Sequence, residues 1–391
     1  MKKPAPAKKK FAPAKRRTAS AARVEPEVLK LPAIGTPAPR FHARSDVNER
    51  FSFDTLGGRY IVLGLVGSAG GAHAGEALKV VEKNRKLFDD SNIALFWVTS
   101  DPADKAEKRL ADSVPGIRVF WDFDMEVSRL WGVARAEGQA SRYAPMWFVV
   151  DPMLRVMAFM PMTETEKLIA TLTSLPPAGL HSGGATPAPV LILPRVFEPE
   201  FCRTLIEAYR TGEAIDSGFM QQKDGKTVLV LNHLHKRRRD VNLEDEALIA
   251  GARGRINARM VPEIERAFQF KPTRIERYIV ACYDAADEAH FKPHRDNTTS
   301  GTAHRRFAVT INLNAEDYEG GDLVFPEFGP QRYRAPTGGA VVFSCSLLHE
   351  AQPVTRGVRY AFLPFLYDEA AAKVREANLH LLDESLRVPG G

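Results

Sequence analysis

Two histidines, an aspartate and an arginine are spaced in this 391-residue chain so that together they could hold a metal ion and an anionic ligand beside it. His294-Arg295-Asp296 is followed some fifty residues on by His349, and ten after that by Arg359. Residues i and i+2 of a strand project from one face, so His294 and Asp296 can converge on one ion while Arg295 points away. Two imidazoles and one carboxylate, with coordination positions left open, are the ingredients of a mononuclear non-haem Fe(II) site. An HxD pair alone is a weak signal, because a chain with ten histidines is expected to contain one by chance. The second half adds weight. Ser346 to Arg359 reads as strand, turn, strand, with the turn near Pro353–Gly357 and Arg359 roughly opposite Ala351 or Gln352, one same-face step from His349. A buried guanidinium needs an anion, and its fork fits a carboxylate. A ligand that chelates the metal at one end and offers a carboxylate at the other meets both demands, and 2-oxoglutarate has that shape.

The elements that must position these residues are short β runs with turn chemistry between them: Ile279–Tyr283, His290–His294, Phe307–Leu313, Asp322–Phe325, Arg332–Arg334, Ala340–Ser344 and Arg359–Tyr367. Such a pattern predicts a jelly roll or barrel. Ahead of it lie an amphipathic helix at Glu198–Arg210 and a helical stretch over Leu248–Phe268, in which Pro262 marks a kink or a new start. From Leu29 to Leu175 the pattern is different. Strands at Tyr60–Val66, Ile93–Thr99, Arg118–Trp121, Met146–Val150 and Arg155–Phe159 alternate with helices at Gly75–Phe88, Asp104–Ser113, Met125–Trp131 and Glu164–Leu172, an α/β layer structure. The fold class expected is therefore two-domain: an α/β domain, then a jelly roll with flanking helices. The boundaries are a basic tail over 1–27 expected to be disordered, a front domain over 28–176, a Pro/Gly-rich linker over 177–189, and the catalytic candidate over 190–391.

Over about 190–367 the chain resembles the prolyl 4-hydroxylase-type Fe(II)/2-oxoglutarate dioxygenases. The residues that carry this are Ile279-Val280-Ala281-Cys282-Tyr283, His294-Arg295-Asp296-Asn297, Asn312-Leu313-Asn314, the run from Glu319 to Gly329, and His349 to Arg359. The resemblance implies a double-stranded β-helix with Fe(II) on His294, Asp296 and His349. It places the distal carboxylate of 2-oxoglutarate on Arg359 and a cosubstrate hydrogen bond on Tyr283. Asn312 stands where an aromatic or polar residue can assist Arg359. The implied reaction hydroxylates a C–H bond of a protein, peptide or amino acid with O2, decarboxylates 2-oxoglutarate to succinate, and is supported by ascorbate. The loop Asp284–Ala289 departs from the family in lacking its usual glycines, which bears on substrate selection more than on chemistry.

The front domain resembles the peroxiredoxin branch of the thioredoxin superfamily through Gly35 to Phe41, Arg59 to Leu63 and Pro145 to Pro152. Where that family places its peroxidatic cysteine the chain has Ser68-Ala69-Gly70-Gly71-Ala72-His73, and the domain contains no cysteine. Peroxide reduction needs a thiolate, so the domain reads as non-catalytic. Pro145 matches a position often occupied by a cis-proline beside a binding groove. A peptide-binding adaptor or sensor is accordingly the alternative to an enzyme. Oxidative repair of nucleic acid would use the same iron site, but Arg356-Gly357-Val358-Arg359 lacks the further arginine signature of that branch.

Composition agrees with a globular chain: 44% hydrophobic and 26% charged residues. The net charge of +6 belongs to the tail, since residues 1–24 hold nine Lys/Arg and no acid. That tail suits weak contact with an anionic surface or nucleic acid. It has no apolar core of a secretory signal, and an organelle leader is disfavoured by scarce serine. No apolar run is long enough to span a membrane. Three cysteines, none in a CxxC pair, point to a reducing, cytoplasmic setting, with Cys282 and Cys345 as core residues. His290 could compete as a metal ligand, and His304 to Arg306 read as loop. His233, His235 and Lys236 to Arg239 read as a solvated basic cluster or as a contact for an acidic substrate near the mouth.

Overall fold

The computed structural model describes residues 30–137 and 140–386, so the expectation for the 1–27 tail lies outside the described residues. The front unit is a five-stranded sheet in the order Ile117–Trp121, Ile93–Thr99, Tyr60–Gly67, Met146–Val150, Val156–Pro161. The first three strands run parallel, Met146–Val150 runs opposite to them, and Val156–Pro161 returns in their direction. Tyr60–Gly67, Ile93–Thr99 and Met146–Val150 are buried at every residue, as continuous apolar runs must be in a sheet covered on both faces. Ala77, Val81, Leu168 and Leu172 of the helices Ala72–Lys83 and Thr165–Thr173 cover one face, and Phe41, Phe53, Val127 and Trp131 fill the other.

Two local expectations for this unit are corrected, and one hairpin is added. The helix foreseen to Ser113 stops at Ala106, because Lys108 turns to φ +54° and the chain folds back over Asp104. That buried carboxylate accepts from Thr99 Oγ1 at 2.5 Å and from the Ala69 N–H at 2.8 Å. A hairpin pairs Ala134–Glu137 with Ala140–Tyr143. The one cis peptide among the described residues is Val114–Pro115, so Pro145 follows a trans bond. Ser68 donates to Asp101 at 2.6 Å, and Arg109 lies 3.4 Å from both Asp101 and Asp104. The loop that would carry a peroxidatic thiol is thus tied by hydroxyl, carboxylates and guanidinium.

The second unit is a double-stranded β-helix. Its larger sheet runs Leu191–Leu193, Ala340–Ser344, Phe307–Asn312, Val358–Phe362, Ile279–Asp284, Arg239–Asn242, Ile215–Asp216, extended by Arg274–Glu276 and Phe365–Tyr367. The smaller runs Lys236–Arg237, His290–His294, His349–Ala351, Leu323–Val324, Arg332–Tyr333. Alternation along the strands sends Ala281, Tyr283, Phe343, Ala361 and Phe365 inward to meet Phe291, Leu323 and Ala351. The other face of the larger sheet sends Val280, Val309, Ile311 and Phe362 against the helices Pro199–Thr211, Glu246–Arg259 and Val261–Phe268. Asp245 caps the second of these, and Pro262 opens the third, so Leu248–Phe268 is two helices.

The two units are docked. Gly58, at φ +96°, lies so close to Pro326 that a Cβ there would come within 2.7 Å of the proline Cβ. No membrane-crossing helix occurs among the described residues.

Candidate metal centre and its cavity

His294 and His349 are direct partners on neighbouring antiparallel strands of the smaller sheet, and Asp296 lies two residues past His294. One donor atom from each of the three lies within 4.8 Å of the others. Asp296 Oδ1 is 3.6 Å from His294 Nε2, and Oδ2 is 3.4 Å from His349 Nε2. Each ring's Nδ1 faces a carbonyl two residues back, Lys292 O at 2.7 Å and Leu347 O at 3.1 Å. A carbonyl can only accept, so each Nδ1 donates to it and each Nε2 is turned toward the carboxylate. Phe291 stacks on His294 and Phe343 packs edge-on to His349, which fixes the ring planes. Burial, then the neighbouring His349, pushes His294 down to about 3. Burial works to raise the Asp296 carboxyl, yet His349, His294 and Arg305 outweigh it and hold it below the ordinary range. Two imidazoles beside an ionised carboxylate are a donor set suited to a divalent cation.

Arg359 is reached differently from the hairpin expectation. His349–Ala351 belongs to the smaller sheet, Val354–Arg356 pairs with Glu319–Gly320, and Val358–Phe362 enters the larger sheet, where Arg359 faces Tyr283. Arg359 is therefore across the barrel from His349, not beside Ala351. Its stem passes Gly321, at φ +67°, where a Cβ would stand 3.1 Å from Arg359 Cδ. Its guanidinium lies 4.8 Å from the Tyr283 ring centroid, and Nε and Nη1 are buried without a hydrogen-bond partner. Such orphaned donors demand an anion, and Arg359 lines the same cavity as the three metal-ligand candidates. Tyr283 Oη accepts from Arg238 at 3.3 Å, leaving its own proton free to donate. Asn312 does not line this cavity. Its amide donates to Ala335 O at 2.7 Å and accepts from Tyr318 at 3.4 Å, so at the end of its strand it ties down the segments at Ala335 and Tyr318.

Arg295 points away from the metal face, as strand parity requires, and is buried between the two units. It grips Glu327 at 2.7 and 3.1 Å, donates to Ser346 O at 2.5 Å and Asp54 O at 3.3 Å, and lies 3.6 Å from Asp54 Oδ2. His290 is taken up by Glu288 O and Leu234 O. The basic run at 236–239 is only half solvated, because strand alternation buries Lys236 and Arg238 in the cavity wall. Arg238 pairs with Asp240 at 2.6 Å, and Lys236 donates to Ser217 Oγ and Gly218 O.

His304 and Arg305, expected in a loop, are buried and clasp Glu276: His304 Nε2 at 2.8 Å, the Arg305 fork at 2.6 and 2.9 Å. Burial works to raise the Glu276 carboxyl, but Arg305 and His304 hold it far below its ordinary value of 4.5. A depressed carboxyl contributes stability that is complete above 4.5 and is lost as pH falls toward the lowered folded value. Glu276→Gln is expected to cost about 3 kcal/mol at neutral pH and to flatten the acid limb. Denaturant titrations from neutral to acid pH measure both, and an acid limb as steep as wild type would refute the assignment.

A jelly roll carrying this donor set, behind an α/β thioredoxin-like unit, defines the class, and the sequence comparisons agree. Residues 278–367 match the model of the 2OG-Fe(II) oxygenase superfamily, and residues 34–159 match that of the AhpC/TSA family. The chain therefore carries a 2OG-Fe(II) oxygenase domain behind an AhpC/TSA-type domain. Among curated proteins it is similar to a PKHD-type hydroxylase of a Synechococcus strain, 31% identical over 149 residues, which covers 31% of this chain and 66% of that protein. It is also similar to a PKHD-type hydroxylase of Shewanella frigidimarina, 36% identical over 91 residues, covering 23% and 40%. The chain thus spans less than two thirds of either relative. Among solved structures it is similar to a Trichoplax adhaerens prolyl hydroxylase in complex with a hypoxia inducible factor peptide, at 18% identity and TM-score 0.35, covering 55% of this chain and 96% of that one. A peroxidoxin, BcpB of Mycobacterium tuberculosis, aligns at 18% identity and TM-score 0.32, covering 37% and 99%.

Proposed function

We propose that the chain is an Fe(II)- and 2-oxoglutarate-dependent dioxygenase that hydroxylates a C–H bond of a protein or peptide, with prolyl residues favoured by the family resemblance. The observation that carries this reading is the buried, unpartnered fork of Arg359 in the cavity of a His-Asp-His donor set. His294 and His349, through Nε2, and the Asp296 carboxylate would hold Fe(II). Arg359 would bind the distal carboxylate of 2-oxoglutarate, and the Tyr283 hydroxyl would donate to the same cosubstrate. When bound, the metal and cosubstrate supply the O2 activation and oxidative decarboxylation that the protein's own side chains cannot. What the chain contributes is placement and dryness: Phe291, Leu323, Phe343 and Ala351 wall the site with apolar surface. The unpaired cysteines suit a reducing cytoplasm, where ascorbate would keep the iron ferrous. The adaptor reading has no matching support, since a chain freed from catalysis has no reason to aim both Nε2 atoms at one carboxylate.

Arg359→Ala is the direct test. Anaerobic titration is expected to show 2-oxoglutarate affinity falling about a hundredfold or more, the scale for removing one partner of a buried charge pair, with Fe(II) affinity far less changed. Equal loss of both would mean that the barrel had unfolded, and unchanged 2-oxoglutarate affinity would remove the basis of the proposal.

A further inference from the structure

The cavity does not end at the cosubstrate. It measures about 1190 Å3 and runs into the groove between the two units, where Arg50, Phe51 and Thr55 of the front domain form a wall. Pockets for small ligands usually hold about 300–1,000 Å3, and a five-carbon dicarboxylate fills a corner of this one. Its charge is one-sided: ten Lys and Arg side chains line it against two acids, Asp54 and Asp296. Four of the ten are neutralised, Arg40 by Asp54, Arg118 by Asp90, Arg238 by Asp240 and Arg295 by Glu327. Arg359 is assigned to 2-oxoglutarate. Among the described residues, Arg50, Arg59, Lys236, Arg277 and Lys292 form no ion pair within 4 Å.

Arg277 is the most telling of these five. It is held at φ +57°, in the left-handed region that non-glycine residues seldom adopt. Its Nε donates to Leu363 O at 3.1 Å and its guanidinium lies 4.3 Å from the Phe365 ring centroid, which turns the fork along the cavity wall. Burial, then Arg305 and Arg238, lowers its pKa to about 10, so the site holds a charge it disfavours and an incoming anion would relieve this.

We propose that the substrate is an acidic polypeptide segment lying in the interdomain groove, with carboxylates on Arg277 inside the barrel and on Arg50 of the front domain. This rests on the oxygenase reading for the reaction, though not for the binding. A polypeptide fits better than a single-stranded nucleic acid, whose bases need free aromatic faces. The rings that line the groove are spent on each other: Phe51 on Phe96 and Phe120, Phe219 on His235, Phe291 on His294. The front domain then has work that requires no thiol, because it supplies half of the substrate groove.

Fluorescence anisotropy on the full chain tests this with a short labelled oligoglutamate, a neutral Gly/Ser peptide of equal length and an oligothymidylate. The nine basic residues of positions 1–24 will also attract polyanions, so differences between variants, not absolute affinities, report on the groove. Arg277→Gln and Arg50→Glu are each expected to weaken oligoglutamate binding about tenfold, with the neutral peptide binding least. Arg50 lies in an exposed turn, so Arg50→Glu remains informative if Arg277→Gln fails to fold, which 2-oxoglutarate binding in the same samples reveals. Unchanged oligoglutamate affinity in both variants would assign the binding to the tail and overturn the proposal. So would oligothymidylate binding that is tighter than oligoglutamate binding and more sensitive to the same changes. Neither readout needs turnover, so an inactive preparation that binds oligoglutamate through these arginines refutes the reaction and not the groove.

Discussion

A His349→Ala chain is expected to fold and to lose Fe(II) affinity by more than a hundredfold, with all 2-oxoglutarate turnover. Residues that merely orient a metal ligand change affinity about 10- to 100-fold, so removing one of three ligands must exceed that. The ring of His349 sits 3.4 Å from Asp296 through Nε2, packs on Phe343 and is held by Leu347 O. Alanine removes a donor and leaves a small hole beside Phe343, at a cost of a few kcal/mol that the surrounding sheet can absorb. His290→Ala is the internal comparison. His290 sits on the same strand, but the register shifts between Phe291 and His294, its side chain does not line the cavity, and its two ring nitrogens face Glu288 O and Leu234 O. Its loss is expected to change Fe(II) affinity less than twofold, a negligible fraction of a kcal/mol. Anaerobic Fe(II) titration of the two variants and wild type decides the matter: equal affinities in all three would dissolve the His-Asp-His assignment.

What could be read from sequence follows from how far each interaction reaches along the chain. Period two puts His294 and Asp296 on one face and Arg295 on the other, so that part of the site needs no tertiary knowledge. The same holds for Tyr60–Gly67 and Ile93–Thr99, whose unbroken apolar runs imply a covered sheet. Arg359 was harder. In a double-stranded β-helix successive strands pass from one sheet to the other, so a hairpin argument that pairs neighbours in sequence places Arg359 beside the wrong strand while leaving it in the right cavity. Lys236 and Arg238 were obscured by their company, since four basic residues in a row look solvated until alternation buries every second one. Asn312 has the inward parity of Ala308, but it lies at the end of its strand, where Ala335 and Tyr318 claim its amide. The docking of Asp54 on Arg295 spans 241 positions and has no local signature at all.

That docking gives the second large effect. Arg295→Ala is expected to cost about 3–5 kcal/mol, the usual penalty for leaving one member of a buried ion pair alone. Glu327 would lose both guanidinium bonds while its Oε2 still accepted from Leu348 N at 3.2 Å, the residue before His349. Arg295 also donates to Ser346 O, three residues before His349, and to Asp54 O in the front-domain turn Phe53–Thr55. Its removal should therefore loosen the metal strands and the domain junction together. All four tryptophans, Trp97, Trp121, Trp131 and Trp147, lie in the front domain, so their emission follows that unit, while 2-oxoglutarate binding follows the barrel. In wild type the two signals are expected to be lost at similar urea concentrations. In Arg295→Ala, cosubstrate binding should fail first and tryptophan emission later. The double variant Arg295→Ala/Glu327→Ala should recover part of the loss, because no buried carboxylate is then left without its partner. If Arg295→Ala unfolds as wild type does, with both signals still together, the Arg295–Glu327 pair does not hold the front domain against the metal strands.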